Sequence, residues 1–458
     1  MRVDRAMYGL IQSAKLWYNE LTRHLLAKGF KKSTADECIL VKKMESGQYI
    51  LVILYVDDIL VLGKVKEDRH WVKKILEDEY KKITFDEGDR LTYLGMTILK
   101  RVDGYEISMK SYIEDILALY GKSIKTCVTP AKPGLFDTST SRDYVDSVQF
   151  HSIVAKLLYL GKRGRSDILL PVQYLCTRVK KPTVDDQRKL ERVLGYILLT
   201  KTWTRIFDNS PFDTVTTYID ASFAMHADGK SQSGCMVFLG NTLVHEGCRK
   251  QRLVTLNSTE AELVALSDYI EEGELVEGLL ADLGILMMED FVTETHVVYQ
   301  DNQSTKNIVM NGGKEGKQRS KYMKVRAAYV YERLCTKELM IEYLHTSKMV
   351  ADLLTKPLGG ELFHRHAQTA LGRLPAMCNR GAKRKTTGKR GQPLCEIDLH
   401  TASESERKER IREKRDIMPR VECEDLRLTI LDFYRDLSSD LLWQTNQCRD
   451  SHKFVFTT

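Results

Sequence analysis

Residues Gln48–Gly63 read QYILVILYVDDILVLG, two apolar runs meeting at Asp57 and Asp58. Runs of this kind predict two buried strands joined by a short turn. A turn selected for geometry alone would favour Asn-Gly or Asp-Gly, because tight hairpin turns need positive φ. Adjacent aspartates between buried strands instead repel each other and lose hydration. A divalent cation would neutralise them. Hard ions such as Mg²⁺ take carboxylate oxygens, and a pair of them can hold the attacking and leaving oxygens of a phosphoryl transfer. A solvated acidic turn is the other reading of the same residues.

Working outward, four regions separate by pattern. Residues 1–125 alternate helical and β-rich stretches, with Trp71, Val72, Ile75, Leu76 and Tyr80 at helical spacing after the hairpin. Residues 126–212 open with a Pro-, Ser- and Thr-rich loop and continue as helical patterns such as Ser152–Leu160 and Val184–Leu199. Residues 213–360 read as strands and helices in a mixed α/β order with its own core. Residues 361–458 carry a basic run, Arg380–Arg390, dense mixed charge over Ser403–Asp416 and a helical-looking stretch near Leu426–Leu442; this segment is expected to be a charged tail without an assigned fold.

The totals agree with this division. A length of 458 residues suggests about three domains. A composition of 43% hydrophobic and 29% charged residues excludes wholesale disorder and a fibrous repeat. The net charge of +7 permits a nucleic-acid partner without demanding one. The longest uninterrupted apolar run, Tyr49–Val56, falls far short of the roughly 18 residues of a membrane span, so no membrane partner is expected. The first 30 residues are charged throughout and contain no apolar signal core. The 10 cysteines form no CxxC pair, which points to reduced thiols rather than a disulfide frame or a zinc site.

A second acidic constellation lies in residues 213–360. Thr214–Asp220 (TVTTYID) alternates as a strand, with Thr216, Tyr218 and Asp220 on one face. Asn257-Ser258-Thr259-Glu260 predicts a capped helix start, followed by a core stripe of Leu263, Leu266, Ile270, Gly273, Val276 and Leu280. Glu262 sits in the first turn of that helix, where an acidic side chain suits the helix dipole. Thr295–Tyr299 is a further strand leading to Asp301, and Asp352 opens a last helix after a strand at Leu339–Leu344. Each carboxylate alone can end a strand or partner a dipole. Together, the order strand-Asp, helix-Glu, strand-Asp, helix-Asp is much less expected by chance than any one of them.

Several stretches carry a family resemblance. Tyr55-Val56-Asp57-Asp58 resembles the catalytic box of reverse transcriptases. Tyr8–Gln12 with Trp17-Tyr18 resembles the segment just upstream of that box in copia-like retrotransposons, although Ile11 stands where a lysine is usual and Ala14 where a proline is usual. Tyr93-Leu94-Gly95 resembles the primer-side strand, and Ser108–Leu117 and Phe150–Cys176 resemble linking and thumb-side segments. The words DASF, KSQSG, STEAEL, QDNQST and ADLLTKPL resemble the ribonuclease H of the same elements, with Phe223 in place of a usual tryptophan and Tyr322 and Lys324 where histidine and aspartate are frequent.

The resemblance implies a mixed, multidomain α+β chain: a partial reverse-transcriptase palm (1–125), a helical thumb or connection (126–212) and a ribonuclease H-like α/β domain (213–360). It implies that Asp57 and Asp58 are catalytic and hold metal, and that Tyr55 and Gln12 help form the template and nucleotide pocket. It implies further that Asp220, Glu262, Asp301 and Asp352 hold two Mg²⁺ (or Mn²⁺) ions for hydrolysis of RNA in an RNA–DNA hybrid. Glu262 is assigned over Glu260, which is better explained as the capping residue. The expected partners are an RNA–DNA hybrid, template RNA with a DNA primer, dNTP if the polymerase is complete, and other parts of a polyprotein.

The family's third polymerase aspartate lies on a strand upstream of Tyr8, and Asp4 does not fill that position. Loss of polymerase activity is therefore expected, with a non-catalytic nucleic-acid-binding remnant as the competing reading. Lys162, Arg163 and Arg165 cluster between helical stretches and are expected to touch phosphates. His345 is expected to be a surface histidine at a strand end, although related nucleases suggest a role in product release. The Arg380–Arg390 run is a solvated tail, a nucleic-acid contact or a nuclear address.

Overall fold

The structure, a computed structural model, describes residues 11–81, 83–138, 143–209, 214–287, 295–313, 321–336, 339–376 and 453–457. The Tyr8–Leu10 part of the upstream motif and the Arg380–Arg390 run lie outside them.

The hairpin predicted around Asp57 is present. Helix α1 (Ile11–Ala27) precedes β1 (Lys31–Lys32) and β2 (Ile39–Lys43), and β3 (Tyr49–Tyr55) turns into β4 (Asp58–Gly63), followed by α2 (Lys66–Tyr80) and β5 (Thr84–Glu87). The continuous apolar wording of β3 follows from burial on both faces. Ile50, Val52 and Leu54 pack with Leu21 and Leu25 of α1 and Val72 and Leu76 of α2. Leu51 and Ile53 face a second core. Each such side chain contributes about 1.5–3 kcal/mol through burial.

A second sheet joins β6 (Arg90–Tyr93), β7 (Met96–Arg101) and β8 (Gly104–Ser108) to β9 (Arg205–Asp208). Between β8 and β9 run α3 (Lys110–Tyr120), α4 (Ser147–Arg163), α5 (Leu169–Cys176) and α6 (Val184–Leu199). Thr183 and Asp186 start α6 with a reciprocal capping box.

The third sheet contains β10 (Thr214–Ser222), β11 (Gln232–Leu239), β12 (Thr242–Lys250), β13 (Thr295–Gln300) and β14 (Met340–Tyr343) in the order β12-β11-β10-β13-β14. The first three strands are antiparallel, while β13 pairs parallel with β10 and β14 parallel with β13. The long helix α7 (Ser258–Met287) crosses from β12 to β13, and α8 (Gln303–Met310) and α9 (Lys321–Thr336) lie between β13 and β14. This order is a mixed α/β sheet with its helices between β12 and β14. Gly273 lets α7 approach the sheet: a Cβ there would lie 2.2 Å from Cε1 of His296. The His296 ring is buried between Thr217 Oγ1 (2.9 Å) and Glu277 Oε2 (3.2 Å).

Within the segment 361–458, the described residues form two parts. Helix α10 (Gly360–Ala370) folds back, and the chain beyond it reaches β9, where the Ile206 N–H donates to the Leu371 carbonyl at 2.9 Å. Strand β15 (Lys453–Thr457) lies between β4 and β5, parallel to both. It pairs the β4 edge that the sequence alone leaves open, and an open edge is a template for unwanted pairing.

Candidate functional sites

The hairpin tip is a two-residue link, Val56-Asp57, with Tyr55 and Asp58 as its closing pair. Val56 adopts φ +53°, a conformation that costs a β-branched residue about 1–3 kcal/mol. The tip is held from α1, where Trp17 Nε1 donates to the Val56 carbonyl at 2.7 Å. This contact joins two of the recognised stretches and gives Trp17 a positioning role that the sequence did not reveal. Asp57, Asp58 and Tyr55 are half-buried. Gln12 lies in the first turn of α1. Among the described residues, no third acidic, His or Cys side chain groups with Asp57 and Asp58.

The second constellation is a built cluster. Asp220 lies near the C-terminal end of β10, Glu262 is in the first turns of α7, Asp301 follows β13, and Asp352 sits in a 3-10 turn, Val350–Leu354, where a helix start was predicted. Asp220, Glu262 and Asp301 each offer a ligand atom within 4.8 Å of the others. Asp220 is fully buried, and Glu262 and Asp352 are nearly so. Burial, then the charges of Asp220 and Asp301, raises Glu262 well above the usual carboxylate range. Burial and the Asp220 charge raise Asp301 and Asp352 as well. Crowded, buried carboxylates of this kind favour a bound cation, and an all-oxygen set suits Mg²⁺ or Mn²⁺.

Neighbouring groups orient these carboxylates. Gln300 Nε2 donates to Glu262 Oε2 at 3.3 Å, and Thr346 Oγ1 to Asp301 Oδ2 at 2.7 Å. Thr355 Oγ1 donates to Asp220 Oδ2. Lys356 Nζ lies 3.2 Å from Asp220 Oδ1 and 2.6 Å from Asp352 Oδ1. Thr355 and Lys356 fall within the quoted stretch ADLLTKPL, yet the sequence reading gave them no role. The available signal was the spacing of Asp352 and Lys356, which places the pair on one helical face.

The choice of Glu262 over Glu260 is consistent with the local geometry. Asn257 Oδ1 accepts from the Glu260 N–H at 3.0 Å, and Glu260 Oε2 accepts from the Leu256 N–H at 3.0 Å, which places Glu260 in the cap. His345 is exposed and caps the 3-10 turn that carries Thr346, its Nδ1 2.9 Å from Ser347 Oγ.

The expected basic cluster requires a correction. Arg163 and Arg165 are 5% and 1% exposed, so neither is a surface phosphate contact. Arg165 donates to both Asp167 oxygens (2.9 and 2.8 Å) and to the Thr200 carbonyl at 3.0 Å. Tyr196 Oη also donates to Asp167, at 2.6 Å. The acidic partner two residues away draws the guanidinium inward, as desolvation requires of a buried charge. Arg163 lies over the Tyr159 ring at 5.6 Å. Lys162 is half-buried at the end of α4.

The fold and the sites define a mixed α+β chain in which an acidic hairpin segment precedes an α/β domain with a buried carboxylate cluster. Residues 1–133 match the family described as Reverse transcriptase (RNA-dependent DNA polymerase). The chain is 28% identical over 371 residues to the Retrovirus-related Pol polyprotein from transposon RE1 of Arabidopsis thaliana, covering 80% of this chain and 24% of that protein. It is 26% identical over 367 residues to the corresponding polyprotein from transposon TNT 1-94 of Nicotiana tabacum, covering 78% and 27%. These alignments agree with the copia-like resemblance read from the motifs. The chain spans about a quarter of the length of the curated relatives it matches, 24% for the first.

Among solved structures, it is similar to a foamy viral protease-reverse transcriptase in complex with an RNA/DNA hybrid (TM-score 0.40, 15% identity, 73% of this chain and 38% of that one). It is also similar to LC11-RNase H1 isolated from compost (TM-score 0.24, 18% identity, 31% and 93%).

Proposed function

We propose that this chain is a retrotransposon polymerase–ribonuclease H segment whose four-carboxylate site cuts the RNA strand of an RNA–DNA hybrid. The grouping of Asp220, Glu262 and Asp301 within 4.8 Å of one another, each from a different element, carries this reading. Bound Mg²⁺ or Mn²⁺ would activate a water and stabilise the leaving oxygen at the phosphate. Asp220, Glu262, Asp301 and Asp352 would hold the ions. Thr346 and Gln300 keep Asp301 and Glu262 in place, so little reorganisation is needed when substrate binds. The hairpin supplies two carboxylates without a third beside them among the described residues; hence the proposal gives Asp57 and Asp58 no catalytic step in this chain.

The test uses the purified chain and an end-labelled RNA–DNA hybrid with Mg²⁺. Wild type should cut the RNA strand, and Asp301→Asn should lower the rate at least about a hundredfold. Equal inertness of the two proteins would sink the nuclease reading, and retained hybrid binding would then favour a non-catalytic remnant. A primer-extension assay is expected to give no Mg²⁺-dependent synthesis; robust synthesis would overturn the assignment of the hairpin.

A further inference from the structure

The four carboxylates do not form one uniform site. Asp220 and Asp352 are paired directly with a cation, the ammonium of Lys356, whereas Glu262 and Asp301, which converge with Asp220, feel that charge only from a distance. The turn that presents Asp352 also presents this lysine: the Lys356 N–H donates to the Asp352 carbonyl at 2.9 Å, closing one helical turn over the aspartate. The turn therefore fixes the backbone of Lys356 where its side chain can reach both carboxylates. Thr355, the residue between, secures the other Asp220 oxygen. Lys356 is 32% exposed while Asp220 and Asp352 are buried, so the ammonium enters from the solvent side and can withdraw the same way.

We propose that Lys356 is a resident cation standing in for one divalent ion on the Asp220–Asp352 side of the cluster. The inference rests on the nuclease reading above and deepens it. The two halves of the site should differ in affinity. An ion can enter among Asp220, Glu262 and Asp301 without displacing a cation. An ion between Asp220 and Asp352 must first displace the ammonium, because two positive charges a few ångströms apart repel and compete for the same oxygens. Lys356 is thus a positioning residue that sets the order in which ions load and keeps the Asp220–Asp352 pair from being buried without a counter-charge.

The experiment titrates Mn²⁺ into the metal-stripped full chain and reads the free aquo-ion by electron paramagnetic resonance. Wild type should show one stronger and one weaker site. In Lys356→Gln the second site should tighten by about tenfold, within the roughly 5- to 150-fold range of coupled sites. Lys356→Arg, which keeps the charge, should stay near wild type. Identical titrations of wild type and Lys356→Gln would overturn the proposal, as would loss of the stronger site in Lys356→Gln.

A measurement on wild type covers the case in which the variants misfold. Acylation of Lys356 by an amine-reactive ester, read by mass spectrometry, should rise as the second ion loads, and unchanged labelling would refute displacement. Asp301→Asn separates the two readings. If wild type binds no more Mn²⁺ than this variant, the metal cluster itself fails. If wild type and Lys356→Gln both bind two equivalent ions, the nuclease reading survives and only the role of Lys356 falls.

Discussion

The two acidic sites of this chain are built in opposite ways. Asp57 and Asp58 are adjacent, half-buried and delivered by one hairpin whose strained Val56 is braced by Trp17. Asp220, Glu262, Asp301 and Asp352 come from four separate segments and meet in the interior, where burial and mutual repulsion raise the affinity of Glu262, Asp301 and Asp352 for protons. A contiguous pair can be presented wherever a hairpin forms. A dispersed, buried cluster exists only if the whole domain folds. The second arrangement is therefore the stronger pointer to a bound cation, because each carboxylate is costly to bury without one.

Metal binding should break the symmetry between the sites most sharply. Mg²⁺ at a hundred times its dissociation constant should stabilise the chain by ~2.7 kcal/mol in urea denaturation. Asp220→Asn should abolish that gain and hybrid cleavage together, while Asp58→Asn leaves both unchanged. A loss of the gain in Asp58→Asn would mean that the hairpin is the metal site.

Acid should remove the stability contributed by buried, neutral His366 of α10, the helix that packs against the Asp352 turn. Burial, then the nearby Arg365 charge, lowers this histidine from 6.5 to about 4. It must stay neutral in the fold, so its contribution is complete above pH 6.5 and is lost as pH falls towards 4. The full effect approaches ~3 kcal/mol. His366→Leu should flatten the pH dependence of urea denaturation across that window; an unchanged slope would contradict the assignment.

A packing change should be somewhat milder. Gly273→Ala places a methyl against His296 and should cost about 1–3 kcal/mol, read by thermal unfolding. A neutral result would mean that α7 can lift from the sheet without loss. The smallest effect is expected at the hairpin, where Val56→Gly should stabilise by about 1 kcal/mol through relief of the left-handed conformation. Destabilisation there would show that the Val56 side chain contributes more than its backbone costs.

Much of this architecture was legible in the sequence because it is written in local patterns. The apolar runs around Asp57 announce a hairpin buried on both faces. The stripe Leu263, Leu266, Ile270, Gly273 and Val276 is the buried face of α7. The order of carboxylates on alternating elements specifies which ends of strands and helices carry acid. These features depend on periodicity and chain order, which a linear sequence contains.

Other features were decided only in three dimensions. Arg163 and Arg165 read as surface charge, yet both are interior, Arg163 over the Tyr159 ring and Arg165 against the Asp167 carboxylate. The left-handed Val56 is imposed by the register of the strands on either side of it. Pairing of Lys453–Thr457 with β4 joins segments far apart in the chain, which periodicity cannot reveal. Lys356 lies between: its spacing from Asp352 was visible, but its reach to Asp220, 136 residues away, was not. Local sequence determines which face a residue occupies; what covers that face, and hence whether a charge is solvated, paired or available to a ligand, depends on the tertiary neighbours that set its desolvation.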